Sequence, residues 1–155
     1  MPGSRIGLLI TEEDCSPETL PIPVLPSAVL ALSSVTERSV LPLGDLAKGF
    51  APGAVVNAAK RAAEYFSCDV QTTKEEDWNA LLAEWTNAHA LDAVVTARLP
   101  IGPVAKRLKS AARHLSVPLI EITREYDRAI WPYAERGFFR LRKKIPHILE
   151  EINLA

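Results

Sequence analysis

Apolar residues along the chain follow two patterns, and together these predict an α/β fold. Short aliphatic runs at residues 5–11, 28–32, 92–96 and 119–123 have the length and composition of buried strands. Between and after them, longer segments carry apolar residues at helical spacing. Strands that alternate with amphipathic helices predict a parallel sheet that is covered by helices.

Two helices are predicted from this spacing and from their first residues. Residues 54–66 repeat apolar positions on one face, and the breakers Pro52 and Gly53 precede them, so we expect this helix to begin at residue 54. Residues 103–116 show the same spacing, and Pro103 suits the first position of a helix because its missing N–H would be unpaired there anyway.

A further helix is predicted between these two. Thr73 and Glu76 form a capping-box pattern, which places the helix start near residue 74. Trp78, Leu82 and Trp85 then lie on one stripe, and we expect the two tryptophans to anchor this helix to the sheet.

The connections between these elements complete the predicted fold. Four prolines within residues 17–26 predict an extended connection, and residues 40–43 are a candidate for another short strand. The sequence thus predicts a Rossmann-like three-layer sandwich, with a mostly parallel sheet of about five strands and helices on both faces. A length of 155 residues fits one domain, so we expect residues 1–155 to form a single α/β domain.

Charge and cysteine content narrow the possible function classes. The chain has 18 basic and 19 acidic residues, and a net charge of −1 argues against a dedicated nucleic-acid-binding protein. Cys15 and Cys68 form no metal-type or redox pair, which favours two free thiols in a reducing cytoplasm. No run approaches the roughly 20 apolar residues of a membrane helix.

A ligand crevice is predicted at the carboxyl ends of the strands, where open α/β sheets bind their ligands. Four hydroxyl and guanidinium side chains are expected near this edge: Thr11, Ser33, Thr96 and Arg98. Gly102 belongs to the turn at residues 98–103, where a helix N-terminus offers free N–H groups to an anion. The chain has no G-x-G-x-x-G or Walker-type motif, and a plain βα turn is the alternative interpretation.

The sequence predicts no catalytic residues and no metal site. The consecutive carboxylates Glu12, Glu13 and Asp14 cannot all point inward, and we expect them to lie in a solvated loop. The three histidines lie far apart along the chain, and no nucleophile elbow is present.

The last third of the chain combines aromatic and basic residues. Residues 136–144 contain five cations beside Phe138 and Phe139, a mixture that suits either nucleic acid or a protein partner. The interpretation favoured by the sequence is that the two phenylalanines are buried and the cations form a solvated face. Residues 124–150 are also a candidate surface for homo-oligomerisation.

Residues 70–150 resemble part of a known protein family. The residues that carry it are Val94-Val95-Thr96, Pro100-Ile101-Gly102-Pro103-Val104, Tyr126-Asp127, Trp131-Pro132, Gly137-Phe138-Phe139 and Ile145-Pro146. This combination resembles the α/β domain of the DNA photolyase and cryptochrome superfamily, in particular its divergent bacterial members.

The resemblance implies an accessory or interaction domain. In that family the α/β domain can hold a pterin or flavin-type antenna chromophore, while a separate helical domain binds FAD and damaged DNA. The chain is too short to contain that helical domain, so the resemblance implies no deoxyribodipyrimidine photolyase activity for the chain alone. It implies a fragment, a standalone domain, or one half of an assembly in which a helical partner binds FAD. The alternatives are a nucleotide-binding enzyme or an oligomeric scaffold of another α/β family.

Overall fold

A computed structural model describes residues 4–34, 41–73, 77–134 and 137–152 of the protein. Its centre is a sheet of five parallel strands in the order β3-β2-β1-β4-β5. The strands are β1 (Ile6–Thr11), β2 (Ala28–Leu32), β3 (Val70–Thr73), β4 (Ala93–Ala97) and β5 (Leu119–Ile122). The predicted Rossmann-like α/β fold is confirmed.

Helices cover both faces of this sheet, as the sequence predicts. The first face packs against α1 (Asp45–Phe66), and the second against α2 (Trp78–Ala88) and α3 (Pro103–Ala112). Every residue of β1, β2 and β4 is buried. Consecutive apolar residues suit these strands because the side chains on both of their faces are buried.

The helix predicted from residue 54 begins earlier, so that boundary was wrong. α1 starts at Asp45 and contains Pro52 in its interior. An interior proline costs about 3 kcal/mol, because it removes one backbone hydrogen bond and its ring crowds the carbonyl of residue i−4, but its φ is compatible with a helix. The prediction found only the segment that packs on the sheet: Val55 is the first buried residue, whereas Leu46 is 91% exposed.

The predicted capping box was also wrong. Thr73 is the last residue of β3, and Glu76 lies outside the described residues. Asp77 caps α2 instead, since its Oδ1 accepts hydrogen bonds from the backbone N–H groups of Asn79 and Ala80 at 3.0 and 3.2 Å. Of the candidate strand at residues 40–43, residues 41–43 belong to no regular element and Val40 lies outside the described part.

The chain forms two compact units, Met1–Ile122 and Thr123–Ala155. The second unit contains α4 (Glu125–Ile130), α5 (Phe138–Arg142) and α6 (Ile145–Glu151). A 3-10 turn at Trp131–Tyr133 lies between α4 and α5. The single-domain expectation for residues 1–155 stays a prediction. Within the described part of the chain, no helix has the length and apolar character to cross a membrane.

Candidate functional site

The strand order places the topological switch point of the sheet between β1 and β4. The chain moves outward from β1 through β2 to β3, and then returns to the other side of β1 to form β4. The loops that follow β1 and β4 therefore diverge at the carboxyl edge of the sheet. Such a switch point is where doubly wound sheets bind their ligands. We call the ends of β1, β2 and β4, with the N-terminus of α3, the carboxyl-edge site.

The three predicted hydroxyl residues lie at this edge, although on two different faces. Thr11 ends β1, and Thr96 lies in β4 opposite Leu9. Because side chains alternate along a strand, both share the face of Leu9, which α2 and α3 cover. Ser33 follows β2 and lines a small cavity beneath α1. The structure thus brings Thr11 and Thr96 together and separates Ser33 from them.

Two of these hydroxyls are buried without a hydrogen-bond partner. Thr11 is 1% exposed and Ser33 is 9% exposed, and neither Thr11 Oγ1 nor Ser33 Oγ has a partner among the described residues. A buried unsatisfied hydroxyl costs about 1–3 kcal/mol of stability, so folded proteins retain few of them. A polar ligand or a bound water that reaches these atoms would remove that cost.

The cavity beside Ser33 is too small for a nucleotide. It has a volume of about 100 Å³ and is lined by Ala31, Ser33, Val55 and Thr72, among others. Pockets that hold small-molecule ligands usually enclose roughly 300–1,000 Å³. The cavity suits a few water molecules.

The N-terminus of α3 lies at this same edge, because α3 follows β4. Gly102 is its N-cap and offers no side-chain hydrogen bond, and Pro103 occupies the first turn as predicted. The N–H groups of the first turn of a helix have no partner within the helix, and the helix dipole makes this end positive. Arg98 is exposed at the end of β4, with its backbone N–H bonded to Ile122 O at 2.8 Å. This is a suitable arrangement for an anion.

Sequence reasoning missed a cluster of charged and aromatic residues beside the carboxyl-edge site. Glu12 Oε1 accepts hydrogen bonds from Ser34 N and Ser34 Oγ at 2.9 and 3.0 Å, which ties the end of β1 to the end of β2. The guanidinium of Arg107 lies 4.9 Å above the ring of Trp78. Burial lowers the pKa of Arg107, and the nearby Glu12 carboxylate opposes that shift. Glu12 therefore takes part in a network and is not a purely solvated loop residue.

One signal for this cluster was present in the sequence. Glu12 directly follows a fully apolar strand, and the first residues after such a strand lie at the edge where ligands bind. Arg107 lies one helical turn after Pro103, and Trp78 is the first residue of its helix, so both are near helix N-termini at the same edge. Pairing them required the tertiary packing of α2 against α3.

The cysteines do not supply a nucleophile. Cys15 Sγ lies 3.7 Å from Thr11 O, and burial raises the pKa of the Cys15 thiol, with Asp14 and Glu12 raising it further. Burial likewise raises the pKa of Cys68. Both thiols are therefore protonated near neutral pH, and a protonated thiol is a poor nucleophile. Among the described residues, no group of three metal-ligating side chains converges.

The second unit corrects another prediction. Phe138 and Phe139 are 61% and 78% exposed, whereas the sequence favoured their burial. They are consecutive residues of α5, and neighbouring side chains of a helix point about 100° apart, so burial of one face of α5 would not cover both rings. Arg136 lies outside the described residues. The exposed rings agree with an association surface in residues 124–150, and this role stays a prediction.

Comparisons with known proteins add little to this geometry. No protein-family model matches the sequence, and no curated protein matches it significantly. Among solved structures, the chain is similar to the hypothetical protein PH0823, with 14% identity and a TM-score of 0.47, over 77% of this chain and 96% of that one. No functional argument rests on this likeness.

Replacing Thr11 with valine is expected to stabilise the ligand-free protein. Valine has the shape of threonine without the unpartnered hydroxyl, so the free energy of unfolding should rise by about 1 kcal/mol. Urea unfolding of the ligand-free protein measures this. Thr86→Val is the matched control, because the Thr86 hydroxyl donates to Ala83 O at 3.0 Å and its loss should not stabilise. Equal effects of the two substitutions would contradict this account of Thr11.

Proposed function

We propose that this protein binds a small phosphate-bearing ligand of nucleotide type at the carboxyl-edge site. The observation that carries the proposal is Thr11 Oγ1, which is buried without a partner on the face that α3 covers, at the switch point of the sheet. The uncapped N-terminus of α3 and the exposed Arg98 add donors for an anion.

Each residue has a distinct role in this proposal. The first-turn N–H groups of α3 and the Arg98 guanidinium bind the phosphate oxygens, since charge-assisted hydrogen bonds to an anion are the strongest available. Thr11 donates or accepts one hydrogen bond within the carboxyl-edge site. Glu12, held in place by Ser34, offers carboxylate oxygens that suit the hydroxyls of a ribose.

A titration with adenosine monophosphate, adenosine and inorganic phosphate tests this proposal. We expect the nucleotide to raise the melting temperature, because a ligand at 100 times its Kd stabilises the folded state by about 2.7 kcal/mol. Adenosine, which lacks the phosphate, should have a much smaller effect. Phosphate alone should bind weakly at the same site.

Replacing Arg98 with alanine is expected to weaken nucleotide binding about tenfold, the usual effect of losing one charge-assisted hydrogen bond. The melting temperature of the ligand-free protein should not change, because the Arg98 side chain is exposed. Arg113→Ala is the matched control, since Arg113 is an exposed arginine at the other end of α3. Calorimetric titration that gives the same Kd for both variants would remove Arg98 from the site.

The resemblance to the photolyase superfamily suggests a second, more specific proposal for the ligand of the carboxyl-edge site. On that proposal the domain is accessory, acts with a helical FAD-binding partner and holds a pterin or flavin-type chromophore. An absorption spectrum of the freshly purified protein, with mass spectrometry of anything released on denaturation, tests it directly. A released pterin or flavin would support the family relationship, and a colourless protein that still binds nucleotide would favour the alternative of another α/β family.

A further inference from the structure

An apolar groove lies on the first face of the sheet, beyond the strands that α1 covers. It has a volume of about 490 Å³. Its floor consists of side chains from three neighbouring strands, and residues 21–24, which precede β2, form a wall. The floor residues are Ile6, Ala93, Val95, Ile120 and Ile122. Val95 and Ile120 are register partners on the neighbouring strands β4 and β5, so they lie side by side on the groove floor.

The groove becomes polar at one end. Ser4, Asp92 and Pro118 line it there, and each lies just before a strand, so this end is at the amino edge of the sheet. Asp92 is the one charged side chain among the lining residues that the structure describes. Its Oδ2 accepts the backbone N–H of Arg5 at 2.7 Å, which holds the carboxylate in position. A carboxylate has about four acceptor positions, so this bond leaves capacity for a ligand.

We infer that this groove binds a small apolar molecule that carries a cationic amine at one end. The volume lies within the roughly 300–1,000 Å³ of small-molecule sites, and such sites combine apolar walls with a few fixed polar groups. The apolar part lies over β4 and β5, and the amine pairs with Asp92. Among the described residues that line the groove, Asp92 supplies a carboxylate and none is basic, which selects against an anionic head.

This second site is independent of the carboxyl-edge site. The amino ends of the strands form the polar end of the groove, whereas Thr11, Thr96 and Gly102 belong to the opposite edge. The two ligands also differ in charge. Failure of nucleotide binding would therefore say nothing about the groove, and the reverse also holds.

The test compares three probes that share an eight-carbon tail: n-octylamine, n-octanol and octanoate. Titrations of the full chain are followed by the methyl NMR signals of Val95, Ile120 and Ile122. We expect saturable shifts of these methyl groups with n-octylamine, and a Kd at least about tenfold lower than that of octanoate, since an ion pair replaces a charge repulsion. Saturable shifts confined to other methyl groups, or equal affinity for all three probes, would overturn the proposal.

Two substitutions locate the head and the tail. Asp92→Asn keeps an oxygen for the Arg5 N–H and removes the charge, so n-octylamine should lose its advantage over n-octanol. Ile120→Arg places a cation on the groove floor at a residue that is 46% exposed, so the fold should tolerate it and the preference should change to octanoate. Leu46→Arg adds the same charge on α1, outside the lining residues, and should leave all three affinities unchanged.

A circular dichroism melt of each variant shows whether it is folded. If Ile120→Arg is unfolded, the decision rests on Asp92→Asn, which leaves the groove floor intact. A folded Asp92→Asn variant that still prefers n-octylamine to n-octanol would contradict the assignment of Asp92.

Discussion

Replacing Trp78 with alanine is expected to lower the free energy of unfolding by about 3–5 kcal/mol, the usual cost of removing a buried aromatic side chain. Trp78 is 2% exposed and packs with Leu82, Val104 and Leu108 between α2 and α3. The substitution also removes the ring on which the Arg107 guanidinium lies.

Urea unfolding followed by circular dichroism measures this change, and two variants control it. Trp131→Ala removes the same side chain at a position that is 61% exposed, and should change stability by less than about 1 kcal/mol. Trp78→Phe keeps an aromatic ring for Arg107, and because Trp78 Nε1 has no hydrogen-bond partner among the described residues, no hydrogen bond is lost. A cost for Trp78→Phe as large as that for Trp78→Ala would show that the packing description is wrong.

Replacing Gly7 with valine is expected to destabilise the protein by about 3 kcal/mol, at the upper end of the usual cost of overpacking. Gly7 is the second residue of β1 and lies against Trp85 of α2 and Leu91, which follows α2. A Cβ atom at this position would overlap Leu91 Cδ1 and Trp85 Cη2 and would stand 3.0 Å from Trp85 Cζ2. Leu91 and Trp85 are both buried, so neither can move into solvent.

Gly7→Ala provides a graded comparison, with an expected loss of about 1 kcal/mol because a single methyl group is added. Combining it with Leu91→Ala removes one of the two overlapping neighbours. The loss for the double variant should therefore be smaller than the sum of the two single losses, as measured by a double-mutant cycle. Strict additivity would contradict the contact between Gly7 and Leu91.

The central strands were predictable because a strand that is buried on both faces has a short, continuous apolar sequence. Residues 6–11, 28–32 and 93–97 are almost entirely apolar, and such short runs fit a parallel sheet. β3 was missed because it lies at the sheet edge, and its sequence Val-Gln-Thr-Thr is partly exposed. The early start of α1 was missed because its first turns bury no stripe of residues, so hydrophobic periodicity carries no information there.

The candidate site was predictable in location and less so in detail. Strand direction alone places four predicted residues at the carboxyl edge, since they lie at or just after the ends of parallel strands: Thr11, Thr96, Arg98 and Gly102. Ser33 is separated from them because side chains alternate between the two faces of the sheet. Its surroundings depend on which helix covers which face, and this is set by tertiary packing. The link from Glu12 to Ser34 spans 22 residues, and it depends on the register between β1 and β2.

The most direct test of ligand binding at the carboxyl-edge site is a backbone amide NMR titration with adenosine monophosphate. If the nucleotide binds there, we expect saturable shifts of the amide signals that concentrate at residues 11–12, 96–98 and 102–105. These shifts should be lost in Arg98→Ala and should persist in Arg113→Ala. Shifts that are absent, that do not saturate, or that concentrate in the basic residues of α5 would contradict it.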